Sequence, residues 1–305
     1  MMQMRPFQII LLAVFALLAI VGLVVFATTQ GFGGTTNAVG TVTIWGSLPS
    51  DAVNGAIGRL KQAHKEFANV SYVEKRADTF DTELANALAS GTGPDMVIIN
   101  QEQLLTEIPK VENIPFASIP ERTFLDRYLA IDQLYLNGSG TYGVPLVVDP
   151  LVLYYNRAIL SSAGVAAPPA TWEAVTGLAP LLTKQSGGQT ISRSTIALGS
   201  YGNVTNARAI LSLLLLQAGS SITQTSSLGV RSTLSAQAPA GSQSPPAAES
   251  AVNFYTQFAN PAKTVYSWNP SLVPSRQAFI SGDVALYVGF ASEEAGLKAA
   301  NPNLD

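Results

Sequence analysis

Nine residues with useful chemistry fall where predicted strands end: Trp45, Asp78, Asn100, Glu102, Asp149, Tyr201, Asn203, Trp268 and Phe290. Aromatic faces pack against the C–H faces of sugar rings, while carboxylates and amides exchange hydrogen bonds with hydroxyls. The same set is equally consistent with core aromatics beside solvated polar turns. Asp78, Glu102 and Asp149 could also converge as an acid/base pair for glycoside hydrolysis, although two carboxyls near a sugar serve binding as readily. Other chemistry has little material. The chain has no Cys and one His, His64, so it offers no thiolate, no multi-histidine metal site and one possible triad base. "GTGPD" (91–95) is glycine-rich, but it leads into a strand and lacks a following Lys-Ser/Thr, so it fails as a phosphate loop. No cofactor or metal is expected. With a formal net charge of −3 and no Lys/Arg run, the chain lacks the basic surface that nucleic acid requires.

The elements that would carry these residues read as an α/β protein. "TVTIW" predicts a strand with a turn near Gly46, then a helix with Ile57, Leu60 and Phe67 on one stripe. His64 falls in that stripe and reads as a packed core histidine. "SYVEKRA" is the next strand. Asp81 is placed to cap the helix "TELANALAS", in which Leu84 and Leu88 share a face and Gly91 supplies a left-handed stop. "GTGPDMVIIN" then turns into a buried strand. The alternation implies a largely parallel sheet, whose ligands lie beyond the carboxyl ends of its strands. That rim holds Gly46–Leu48, Asp78–Phe80 and Asn100–Gln103.

Further on, "YGVPLVVDPLVLYYN" (142–156) reads as one long strand with Asp149 and Pro150 at its centre. "APPATWEAVTGLAPLLTK" predicts a helix capped by Thr171, with Trp172 as a core anchor and Val175, Ala179 and Leu182 at helical spacing. "NARAILSLLLLQAG" (206–219) is apolar nearly all round and predicts a buried helix. Residues 223–248 are rich in Ser, Ala, Gln and Pro and read as a flexible loop. The helix "ESAVNFYTQFA", the loop "VYSWNPSL", the helix "SRQAFIS" and the strand "DVALYVG" follow.

Residues 7–29 form an apolar run long enough to span a bilayer, which predicts an uncleaved anchor. Val25 and Ala27 keep open the alternative of a removed signal peptide. Arg5 and the amino terminus precede the run, so the rest of the chain is expected outside the membrane. Residues 1–6 would be its cytoplasmic end and 30–40 a flexible linker.

Four stretches resemble the extracellular solute-binding proteins of ABC importers, family 1, the maltose-binding-like group: "VTIWGS", "LANALASGTGPDMVII", "YGVPLVVDPLVLYYNRAILSSAGVAAPPATWEAV" and "FISGDVALYVGFAS". The resemblance implies two α/β lobes, 41–148 and 149–305, joined by a hinge that closes on ligand. It implies a monomer that captures a saccharide and delivers it to the transmembrane subunits of a permease, without catalysis. The strand around Val147–Leu151 would be the first crossing between lobes, and Asp149 would bond ligand hydroxyls. Ser47 would lie in the first cleft loop, where Leu48 departs from the family. Asn100 to Gln103 would lie in the second, with Glu102 and Gln103 where maltose binders carry an acid and an Arg. Tyr201 and Asn203 would face the cleft, while Trp268 and the turn 289–292 would supply stacking and turn contacts. Family members continue beyond the point matching Asp305, so the resemblance implies that further residues complete the protein. An exported glycoside-processing enzyme using Glu102 and Asp149, or a surface module for sensing or adhesion, are the alternatives.

Overall fold

A computed structural model describes residues 40–187, 190–226, 229–237, 245–302 and 304. The expected anchor and linker lie outside the described residues. Among the described residues, no helix is long and apolar enough to cross a membrane. The chain divides into two units between Pro145 and Leu146.

In the N-terminal unit, β1 (Val42–Gly46) leads to α1 (Ser50–Ala63), β2 (Val70–Glu74), α2 (Phe80–Ala89) and β3 (Met96–Ile98). The three strands form a parallel sheet in the order β2-β1-β3, with Gly46 abreast of Glu74 and Ile98. Gly46 packs tightly there, since a Cβ would approach both Ile98 Cβ and the Tyr72 hydroxyl to 3.0 Å and would press both to give way. The helix α1 is tied to the sheet by the Ser50 N–H, which donates to Glu74 Oε2 at 2.7 Å. It ends one residue before His64, whose backbone is extended. The expected core histidine is therefore corrected: its side chain is 55% exposed and sits 3.2 Å from Glu66. The helical stripe breaks ahead of Phe67, which sits in a separate 3-10 turn.

Thr79, rather than Asp81, occupies the N-cap of α2, and Asp81 falls in the first turn. At the other end Gly91 takes φ +69°. The N–H groups of Gly91 and Thr92 close back on the carbonyls of Leu88 and Ala87 at 3.2 and 2.9 Å. This is the left-handed stop that satisfies the last helical carbonyls. The unit continues through α3 (Leu104–Glu107), β4 (Ile114–Pro115), α4 (Glu121–Arg127), β5 (Leu136–Asn137) and β6 (Gly140–Thr141), the three strands forming a small antiparallel sheet.

The C-terminal unit opens with β7 (Leu151–Tyr155), α5 (Arg157–Ser162), α6 (Trp172–Leu182), β8 (Lys184–Ser186), β9 (Thr190–Ile196) and α7 (Ala207–Gln217). The strand predicted over 142–156 begins only at Leu151. Pro150 has no N–H to give a ladder, so the chain enters the sheet after it, and β7 lies at the sheet edge. Thr171 caps α6 as expected, accepting from Ala174 N at 3.2 Å. Helix α7 buries Ile210, Leu214 and Leu215 but leaves Leu216 57% exposed, so it is one-sided rather than buried all round.

The segment expected to be a flexible loop instead contains a hairpin, β10 (Thr223–Ser226) paired antiparallel with β11 (Gly229–Ser232). The β-branched residues Thr223 and Val230 favour the strands, which a Ser/Ala/Gln/Pro-rich composition conceals. Next come α8 (Ala247–Thr256), α9 (Ser275–Ile280), β12 (Val284–Phe290) and α10 (Glu294–Ala300). The main sheet runs β7-β12-β9-β8, with β12 parallel to β9 and antiparallel to β7. Strand β12 is buried from Val284 to Gly289 and is the spine of the core.

Candidate functional site

In the N-terminal unit the parallel register brings the residues after β1, β2 and β3 to one rim. Ser47 is exposed there, just past the Gly46 turn. Trp45, the residue before that glycine, is half-buried, and the Lys75 ammonium lies 3.9 Å from its ring centroid. Lys75 also bonds Glu83 at 3.0 Å, so one face of the indole is taken by a cation that is itself held.

Asp78 lies on the same rim but is engaged locally. Arg76 donates to both of its oxygens, at 3.0 and 2.6 Å. That guanidinium holds the Asp78 carboxyl below the usual carboxylate range. Asn100 and Gln103 form a reciprocal cap: Asn100 Oδ1 accepts from Gln103 N at 3.1 Å, and Gln103 Oε1 accepts from Asn100 N at 3.2 Å. Gln103 Nε2 also donates to Asp81 at 3.1 Å. Glu102 is exposed between these caps. Of this rim, the Asn100 carbonyl oxygen and both Asp78 oxygens are already used within the chain.

The C-terminal unit repeats the plan with a different sheet. Because β12 runs with β9 and against β7, the ends of β9 and β12 and the start of β7 meet on one rim. That rim holds the loop after β9, Phe290 and Asp149. Both Asp149 oxygens accept from Ser292, Oδ1 from the backbone N–H at 2.9 Å and Oδ2 from the hydroxyl at 2.7 Å. A carboxylate accepts about four hydrogen bonds, so these two leave capacity for a ligand. Phe290 is half-buried and its carbonyl accepts from the Tyr154 hydroxyl at 2.7 Å.

Tyr201 is 65% exposed, on a loop that is firmly tied. Gly199, at φ +91°, packs so closely that a Cβ would meet Ala259 at 2.7 Å. The Tyr255 hydroxyl donates to Ser200 O at 2.6 Å. Burial pushes the Tyr255 hydroxyl pKa well above the ordinary phenol value, which keeps it a donor. The chain thus spends rigid structure on presenting an open aromatic face.

Two expected contacts are corrected. Trp268 is 1% exposed, so its ring has no open face for stacking and serves as a core anchor. Its Nε1 donates to Asn203 Oδ1 at 3.0 Å, and Asn203 Nδ2 donates to the carbonyls of Asn269 and Leu272 at 2.9 Å each. Asn203 is therefore consumed in clamping the 269–272 turn. Trp172, by contrast, is the anchor expected of it, packed on Phe254 at 5.6 Å and bonded through Nε1 to Gln217 at 2.7 Å. Sequence reasoning missed Glu293 and Lys75, and reached Ser292 only as part of the turn 289–292. For Glu293 a faint signal existed, since it stands three residues after Phe290 where half of a capping box belongs, but no Ser or Thr stood at the cap to complete the pattern.

Known proteins share this fold. An ABC substrate-binding protein from Listeria monocytogenes, solved with cycloalternan, superposes with a TM-score of 0.59 at 16% identity over 85% of this chain and 63% of its own. UgpB from Mycobacterium tuberculosis, solved with glycerophosphocholine, gives 0.62 at 20% identity over 88% of this chain and 64% of its own. A Brucella abortus protein inferred to be a binding protein is 26% identical over 98 residues, which is 32% of this chain and 24% of that protein. The chain therefore spans less than two thirds of the length of each. At these identities the structural matches establish the two-lobed binding-protein fold, and they do so for both α/β units. Residues 46–305 match the family as a sequence pattern, and this chain is a member of the bacterial extracellular solute-binding proteins.

Proposed function

We propose that the protein is the extracytoplasmic substrate-binding component of an ABC importer for a neutral saccharide. The observation that carries this reading is the gathering of exposed hydroxyl, amide, carboxylate and aromatic groups onto one strand-end rim of each unit, with Tyr201 as the open platform. An aromatic face offers a sugar its C–H contact, and Ser47, Asn100, Glu102 and Asp149 offer hydroxyl partners. Glu102 and Asp149 act here as acceptors and not as a catalytic pair. The solute would stabilise one conformation of the protein, and that conformation would engage the permease. Residues 7–29 would hold the protein to the outer face of the membrane as an anchor, and the monomer would be the working form.

The test is calorimetry on the full chain in detergent, with maltotetraose, lacto-N-biose and monosaccharides as neutral probes and amino acids as controls. Saturable binding of a neutral saccharide is expected, weakened by about 1–3 kcal/mol in Tyr201→Ala, the range for one base- or ring-stacking contact. Binding confined to the amino acids, or saccharide binding untouched by Tyr201→Ala, would remove this reading of the rim.

A further inference from the structure

Behind the C-terminal rim lies a polar cluster that the ligand-contact reading does not use, and Glu293 is its centre. Glu293 Oε1 accepts from the Phe290 N–H at 2.9 Å and from Asn206 Nδ2 at 2.9 Å. Oε2 accepts from the Tyr287 hydroxyl at 2.7 Å and lies 3.3 Å from Arg276 Nε. Four donors, two from β12, one from the cap of α7 and one from helix α9, thus converge on one carboxylate. Its side chain is 17% exposed, so these bonds form in a medium where losing one is costly. Gly289 leaves the room for it, since a Cβ there would sit 2.8 Å from Oε1.

The turn that Glu293 grips is the one that carries the rim. Ala291 N donates to Pro150 O at 3.0 Å, and Ser292 supplies both hydrogen bonds described above to Asp149. Asn206 ends the loop that presents Tyr201. One carboxylate therefore ties the aromatic loop to the turn that orients Asp149.

We propose that Glu293 is a positioning residue for ligand recognition: it fixes the 290–293 turn so that Ser292 holds Asp149, and Asp149 and Phe290 meet the solute in one geometry. Its functional half rests on the saccharide reading above, whereas the dependence of the turn on Glu293 does not. A carboxylate suits the place because every neighbour is a donor. Glutamine would keep Oε1 for Phe290 and Asn206 but turn an NH2 group toward Tyr287 and Arg276.

The test is amide hydrogen exchange on the full chain. In Glu293→Ala, exchange at Ala291 and Ser292 should rise about tenfold or more, the equivalent of losing a hydrogen bond to a charged group. The sheet amides of Asn156 and Ser194, which donate to Ala285 O and Asp283 O, should not change. Glu293→Gln should restore most of the protection, and it remains readable if the alanine variant fails to fold. Unchanged exchange at Ala291 and Ser292, or an equal rise at all four amides, would overturn the proposal. For the functional half, Glu293→Ala and Asp149→Ala should weaken maltotetraose, or whichever saccharide probe binds, to a similar extent. The double variant should lose less than the sum of the two single losses, because residues acting partly through one contact are not additive. Fully additive losses would overturn the positioning role. If the native chain binds no saccharide while the exchange pattern holds, the saccharide reading falls and the control of the turn by Glu293 stands.

Discussion

The two units are built from the same alternation of strand and helix, yet they cover their strands unequally. In the C-terminal unit β12 is buried for six successive residues, and both hydrophobic clusters among the described residues lie there. In the N-terminal unit the corresponding central strand, β1, is only half-buried from Val42 to Trp45, and α1 buries no residue at all. Parallel strands need cover on both faces. Alternation of residue types therefore dictates that a strand forms, but the neighbours brought from far along the chain decide how dry it becomes.

The largest effect should appear where one residue type occupies both environments. Trp268→Ala should cost about 3–5 kcal/mol, the range for a large aromatic removed from a packed core. Trp45→Ala should cost roughly 1–2 kcal/mol, the loss of a half-buried ring and its cation contact. Urea unfolding of both variants checks this. Equal costs would mean that β1 is covered as thoroughly as β12.

A second contrast uses two glycines. Gly199, at φ +91° with Ala259 pressed against it, should lose about 1–3 kcal/mol on substitution by alanine. Gly91 has φ +69° but nothing within 4 Å of a Cβ. Its alanine variant should lose only about 1 kcal/mol, the left-handed backbone cost by itself. Thermal melts would sharpen the comparison, and a reversed order would break it.

The smallest effect concerns charge. In the C-terminal unit burial, followed by the neighbouring Glu293 carboxylate, raises the Tyr287 hydroxyl. In the N-terminal unit Asp78 is shifted downward by Arg76 at the surface. Any stability from that pair is present above the unfolded carboxyl pKa and is lost as pH falls through the depressed folded value. Arg76→Ala should move the Asp78 midpoint upward, and raising the salt should do part of the same. Carboxyl-carbon NMR titration reads the change directly, and an unmoved midpoint would show that Arg76 does not perturb Asp78 in solution.

Much of this was legible in the sequence where a signal is local. Gly91 marks its own helix stop, Thr171 its own cap, and "DVALYVG" its own strand. The rim was legible too, because it follows from strand direction. What could not be read depends on distant partners. His64 looks buried only if the helix runs on past Ala63. Trp268 looks like a platform until Asn203, 65 residues earlier, closes on its indole. Asp149 reads as mid-strand because the pattern of apolar residues does not register that Pro150 lacks a donor. Glu293 gathers donors from three segments, and no window of sequence contains them.

The ammonium of Lys75 resting on Trp45 has an optical consequence. The chain has three tryptophans, and Trp45 is the one indole before the division at Pro145. Its emission therefore reports on the N-terminal unit alone, and the cation on its ring makes that emission sensitive to any shift of the Lys75 side chain. Subtracting the spectrum of Trp45→Phe from that of the native chain would isolate this signal, giving a dye-free reporter of one half of the molecule.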